Sequence, residues 1–96
     1  MKRQEALDQL HRELPALTAY GVSAIWLFGS TARDQATDAS DVDVLVELAG
    51  PDRFHQYLDV RDHLNRVLGR KVDVVMRGAL KPWARPSVEA EAIRVA

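Results

Sequence analysis

Ninety-six residues give room for one compact domain, and the expectation is a single domain over residues 1–96. Thirteen basic against fourteen acidic residues leave a net charge of −1, without the basic excess of a general nucleic-acid binder, so direct nucleic-acid binding is not expected. The absence of cysteine excludes disulfides, thiolate metal sites and thiol catalysis; the polar N-terminus and the shortness of the longest apolar run, Ala24 to Phe28, predict neither signal peptide nor membrane span, hence a cytoplasmic protein.

Leu7, Leu10, Leu14 and Leu17 recur at helical spacing, but Pro15 interrupts the pattern. This predicts a helix from Arg3 to Glu13, a short helical turn from Pro15, and a close at Tyr20-Gly21. Ser23 to Phe28 is short, apolar and aromatic, which predicts a buried strand. Gly29 to Ser40 is polar and has no apolar period. Val42 to Leu48 is rich in β-branched residues and predicts a second strand, ended by Gly50-Pro51. Asp52 is placed to cap a helix carrying Phe54, Tyr57, Leu58, Leu64, Val67 and Leu68 on its apolar positions, with Gly69 as its stop. Lys71 to Met76 predicts a third strand, and the tail, with Pro82 and Pro86, a short helix from Ser87. The run from Val42 to Met76 is a β-α-β unit, whose strands should be parallel with a right-handed crossover.

Asp41 and Asp43 stand two apart at the start of the second strand, so their side chains share a face. Two carboxylates so placed repel unless a cation joins them or one stays protonated, and Asp is a poor strand former. Those costs fit a hard-metal site, since Mg²⁺ takes oxygen ligands and is held together with substrate phosphates. Asp73 occupies the equivalent early position of the third strand and would bring a third carboxylate to the same end. Three could support two metals about 3.5–4 Å apart in a phosphoryl or nucleotidyl transfer. Gly29-Ser30 directly follows the first strand, where glycine lets backbone amides approach an anion and the serine hydroxyl can donate to phosphate. Arg33 is within reach of the same anion. For this loop to meet the carboxylates, the first two strands must be antiparallel. Taken singly the parts are ordinary: a turn, a strand-start cap, a half-exposed strand residue, a surface arginine. Their conjunction is what is specific.

On these residues the chain resembles the minimal nucleotidyltransferases, or MNT proteins, of the DNA polymerase beta superfamily. The likeness runs through Gly29-Ser30-Thr31-Ala32-Arg33, Ser40-Asp41-Val42-Asp43-Val44-Leu45-Val46, Val72-Asp73-Val74-Val75 and the closing segment from Leu80. The resemblance implies an α/β fold, a small mixed sheet of three or four strands flanked by helices. It implies ATP as substrate and Mg²⁺, as two ions. Gly29, Ser30 and Arg33 would hold the nucleotide; Asp41, Asp43 and Asp73 would be metal ligands and catalytic, with Asp73 placed to activate the acceptor hydroxyl. One departure is visible: Asp34 stands where the family often has glycine. Asp tolerates a left-handed turn, but it adds negative charge beside the phosphates. Members of this size are commonly antitoxins that adenylylate a tyrosine of a HEPN-domain ribonuclease toxin, so a toxin partner and a homo- or hetero-oligomer are implied.

Two other readings stand beside this one. The protein could neutralise a partner by binding alone, with a vestigial nucleotide site, or act on a small molecule or RNA ends; the basic or aromatic surface that RNA requires is not seen. His11, His55 and His63 lack metal-site spacing and read as surface residues, Trp26 reads as core, and Trp83 either covers the sheet or anchors a partner.

Overall fold

The computed structural model describes residues 1–96. Strand β1 (Val22–Phe28) runs antiparallel to β2 (Val42–Leu48), in a register from Val22↔Leu48 to Phe28↔Asp43. Strand β3 (Val72–Met76) is parallel to β2, with Val42↔Val72 and Asp43↔Asp73 opposed. Both directions agree with the sequence expectation. A fourth strand, β4 (Ile93–Arg94), pairs antiparallel with β1 and gives the order β3-β2-β1-β4. Two residues are too short a run to show a period, which is why the tail revealed only its helix.

Alternation divides the sheet into two unlike faces. Ile25, Leu27, Val42, Val44, Val46, Val72 and Val74 enter the core with Ala6, Leu10, Leu17, Val60, Leu64 and Leu68. The latter six come from helices α1 (Arg3–Arg12), α2 (Leu14–Ala19) and α4 (Arg53–Leu68). Each fully buried leucine contributes about 1.5–3 kcal/mol. Pro15 lies in the first turn of α2, where its missing N–H costs no helical bond. The other face carries Trp26, Phe28, Asp43, Leu45, Glu47 and Asp73. Leu45 is only 1% exposed yet lies outside the core cluster. A one-turn helix, α3 (Gly29–Ala32), follows β1, and α5 (Arg85–Glu91) begins two residues earlier than expected, with Pro86 in its first turn.

Helix α5 buries no residue and is tied down by charge, Glu91 to Arg33 at 2.8 Å and Glu89 to Arg77 at 3.1 Å, while Glu89 also pairs within the helix with Arg85 at 3.1 Å. Arg77 also reaches Glu47 at 2.6 Å and lies, like Arg94, over the Trp26 ring. Trp26 is therefore half-buried beneath two arginines rather than sunk in the core. Two further expectations are corrected, and of the two readings of Trp83 the sheet cover fails. His63 is buried: it bonds Glu13 Oε1 through Nε2 at 2.6 Å, with the Tyr20 hydroxyl 3.2 Å from its Nδ1. Hydrogen bonding at both nitrogens offsets its burial. Phe54, in the first turn of α4 beyond the reach of the core, is 66% exposed, and Trp83 is 82% exposed and does not cover the sheet.

Candidate active site

The site grows from the way β1 ends. Phe28 is the last residue of β1 and pairs with Asp43, so whatever follows Phe28 must pass the Asp43 side chain. Gly29 follows, with φ +74, a left-handed conformation that costs glycine little. A β-carbon there would overlap Asp43 Oδ2 and lie 3.1 Å from its Cγ. Gly29 is thus required twice, by its backbone and by its neighbour. Ser30 comes next, at the start of the single turn of α3.

Asp43 and Asp73 are register partners on adjacent parallel strands, and Asp41 lies one same-face step before Asp43. Asp43 is half-buried and its carboxyl is held above the usual aspartate range. Burial is the largest cause, the charges of Asp73 and Asp41 follow, and Arg33 opposes them. Asp41 has Lys71 Nζ 3.5 Å from its Oδ2, while Asp73 is exposed. The acidic side chains do not close into a group of three able to hold an ion by protein ligands alone. Mg²⁺ does not demand one: it keeps several waters and is usually held by one or two carboxylates plus phosphates. Hard oxygen donors with an unneutralised excess of negative charge at Asp43 fit that ion.

Arg33 is near enough to act on Asp43, but its Nη1 donates to Glu91 Oε2 at 2.8 Å and its Nε to Gln35 Oε1 at 3.3 Å. Glu91 lies 58 residues away in sequence, and no local signal could have revealed it. Asp34 has φ +60, so an aspartate does sustain the left-handed turn. Its Oδ1 accepts a hydrogen bond at 3.0 Å from the Arg3 amide, in the first turn of α1. Helix starts leave such amides without an internal partner. Part of the Asp34 charge is therefore used in fastening α1.

The largest cavity, about 570 Å³, is at the far end of the sheet, lined by Ser23, Glu47, Leu48, Arg53 and Arg77 among others. The aspartates instead occupy an open sheet end. A nucleotide held mainly through phosphates and a metal needs convergent charge more than enclosure, so the chemistry locates the site better than concavity does. A smaller cavity, about 210 Å³, is lined by Trp26, Leu45, Arg77, Glu89 and Ala92. Leu45 is the next residue after Asp43 on the same face.

Residues 6–95 match the family described as nucleotidyltransferase domain. Over 77 residues the chain is 40% identical to a Methanocaldococcus jannaschii protein designated a protein adenylyltransferase, covering 79% of each. A solved minimal nucleotidyltransferase superposes with a TM-score of 0.85 at 29% identity, covering 97% of this chain and 95% of that one. A chain in the crystal structure of a toxin–antitoxin with AMP-PNP superposes with a TM-score of 0.70, covering 100% of this chain and 73% of that one; at 19% identity the likeness is one of fold. No helix here is long and apolar enough to cross a membrane. The mixed four-stranded sheet, and the resemblance carried by Gly29–Arg33 and Ser40–Val46, agree with these matches: the chain belongs to the nucleotidyltransferase domain family and is a nucleotidyltransferase.

Proposed function

We propose that this chain transfers AMP from ATP to a hydroxyl of a partner protein, a tyrosine of a HEPN-domain toxin, and so acts as its antitoxin. The contact between Gly29 and the Asp43 carboxylate carries this reading, because it sets the Gly29-Ser30 turn, suited to a phosphate, against the acidic cluster. The designation of the M. jannaschii relative and the AMP-PNP-containing toxin–antitoxin of the same fold support it. Gly29 and Ser30 would hold the triphosphate through backbone amides and the serine hydroxyl. Asp41, Asp43 and Asp73 would hold Mg²⁺, which when bound neutralises the phosphate charge. Asp73, exposed at the outer strand, would take the proton of the acceptor hydroxyl as its oxygen attacks the α-phosphorus. The bond to the bridging oxygen then breaks and pyrophosphate leaves.

The test combines the chain, α-labelled ATP, Mg²⁺ and the protein encoded beside it. Label should pass to the partner with the wild type and not with Asp41→Ala/Asp43→Ala. Complexed, folded proteins that transfer no label would sink the proposal. Neutralisation by binding alone is the second reading, favoured by Trp83 standing 82% exposed. It predicts that the double variant still neutralises.

Glu91 competes with a phosphate for the Arg33 guanidinium. Glu91→Gln is therefore expected to tighten AMP-PNP binding, and Arg33→Ala to weaken it. The pair is exposed, with side chains 44% and 36% accessible, so the gain from Glu91→Gln should not exceed about fivefold. Calorimetric titration of both variants checks this; unchanged affinity in both would remove Arg33 from the site.

A further inference from the structure

Strand β3 is an outer strand, so one side of its backbone has no strand partner. At its start, the Val42 N–H donates to the Lys71 carbonyl at 3.1 Å. In a parallel ladder the next residue, Val72, then turns its N–H and C=O to the outer side. A side chain of α4 meets them there. The Val72 N–H donates to Asn65 Oδ1 at 3.0 Å, and Asn65 Nδ2 lies 3.5 Å from the Val72 carbonyl. The same Nδ2 donates to the Arg61 carbonyl, one helical turn back, at 2.7 Å. That back-bond fixes the amide plane, so its oxygen faces the strand. Asn is a poorer helix former than Ala or Leu, and its use within α4 is a local cost met by this contact.

We propose that Asn65 is a positioning residue for Asp73. Its amide acts as a stand-in strand, holding Val72 and with it the height of β3 against β2 that opposes Asp73 to Asp43. This rests on the proposed role of Asp73 as a metal ligand. A purely structural Asn65 would hold the strand without affecting the metal.

The two are separated by measuring amide exchange at Val72 and Val44, and Mn²⁺ binding in the presence of AMP-PNP, on the full chain. In Asn65→Ala, Val72 exchange should quicken roughly tenfold, the scale of one lost hydrogen bond, with Val44 unchanged. Mn²⁺ affinity should fall as it does in Asp73→Asn, and Asn65→Ala/Asp73→Asn should be no weaker than Asp73→Asn alone. Asn65→Asp keeps an acceptor for the Val72 N–H but sets its second oxygen against the Arg61 carbonyl, so it should lie between the wild type and Asn65→Ala in both readings. Asn65→Ser, too short to reach Val72, gives the same reading should the alanine variant not fold. Faster Val72 exchange with wild-type Mn²⁺ affinity overturns the proposal. Wild-type affinity in Asp73→Asn instead overturns the role of Asp73 beneath it.

Discussion

Gly29→Ala is expected to disable the nucleotide site and destabilise the fold together, whereas Gly69→Ala should do only the second. Both glycines have left-handed backbones, φ +74 and +64. An alanine in that region costs about 1–2 kcal/mol, and in a domain of this size each kcal/mol lowers Tm by roughly 4–8 °C. The two sites differ in what a β-carbon meets. At Gly69 nothing lies within 4 Å; at Gly29 it meets the Asp43 carboxylate. The alanine at position 29 must therefore push Asp43 off its place or move the turn away from it. Misplacement of about 1 Å can cost a hundredfold in rate, so AMP transfer by Gly29→Ala should fall on the order of that or more. Gly69→Ala should keep wild-type activity per folded molecule. Thermal melts and AMP-PNP titration of both variants, each at a temperature where it is folded, give the comparison. Equal binding by the two would show that the contact of Gly29 with Asp43 does not shape the site.

The part of the fold that was legible in the sequence is the part that the chemistry constrains. Three strands announced themselves by β-branched and aromatic runs; the β-α-β spacing made the second and third parallel, but the direction of the first came from a functional demand. A turn at Gly29-Ser30 can face Asp41 and Asp43 only if β1 and β2 run opposite ways, and they do. What stayed hidden depends on pairs far apart in sequence. Burial of His63 is set by Glu13 and Tyr20, 50 and 43 residues away in sequence, at the two ends of α2. Capture of Arg33 by Glu91, and of the Asp34 carboxylate by the α1 start, are likewise invisible to periodicity. Phe54 shows the opposite failure: it fits the helical pattern, yet the pattern cannot tell that the first turn of α4 overhangs the core. For the candidate site, the sequence located the acidic residues and the turn. Only the structure supplied their competitors: Glu91 for Arg33, and Lys71 for Asp41.

Asp43→Asn should abolish transfer while making the metal-free protein more stable at neutral pH. Loss of one electrostatic partner from a preorganised site costs on the order of a hundredfold or more, and the amide also leaves the donor set short of a charge. The stability gain follows from the surroundings of the carboxylate. Asp43 is half-buried, next to two other acidic residues, and its carboxyl is held above the usual range by burial and then by Asp73 and Asp41. A raised pKa means that the folded state holds this proton more tightly than the unfolded chain does. Its contribution is then fully present below the unfolded pKa and is lost as pH rises through the folded one. At neutral pH the ionised group therefore opposes folding, and the neutral asparagine does not. The advantage of Asp43→Asn in Tm should appear as pH climbs out of the ordinary aspartate range and level off once the wild-type group is ionised. It should shrink when Mg²⁺ and AMP-PNP are added, because ligands that bind the native wild type stabilise it and the variant has lost the carboxylate that would hold the ion. Melting curves across that pH interval, with and without the two ligands, test the whole chain of reasoning. A variant less stable than the wild type in metal-free buffer at neutral pH would mean that Asp43 serves the fold rather than the site.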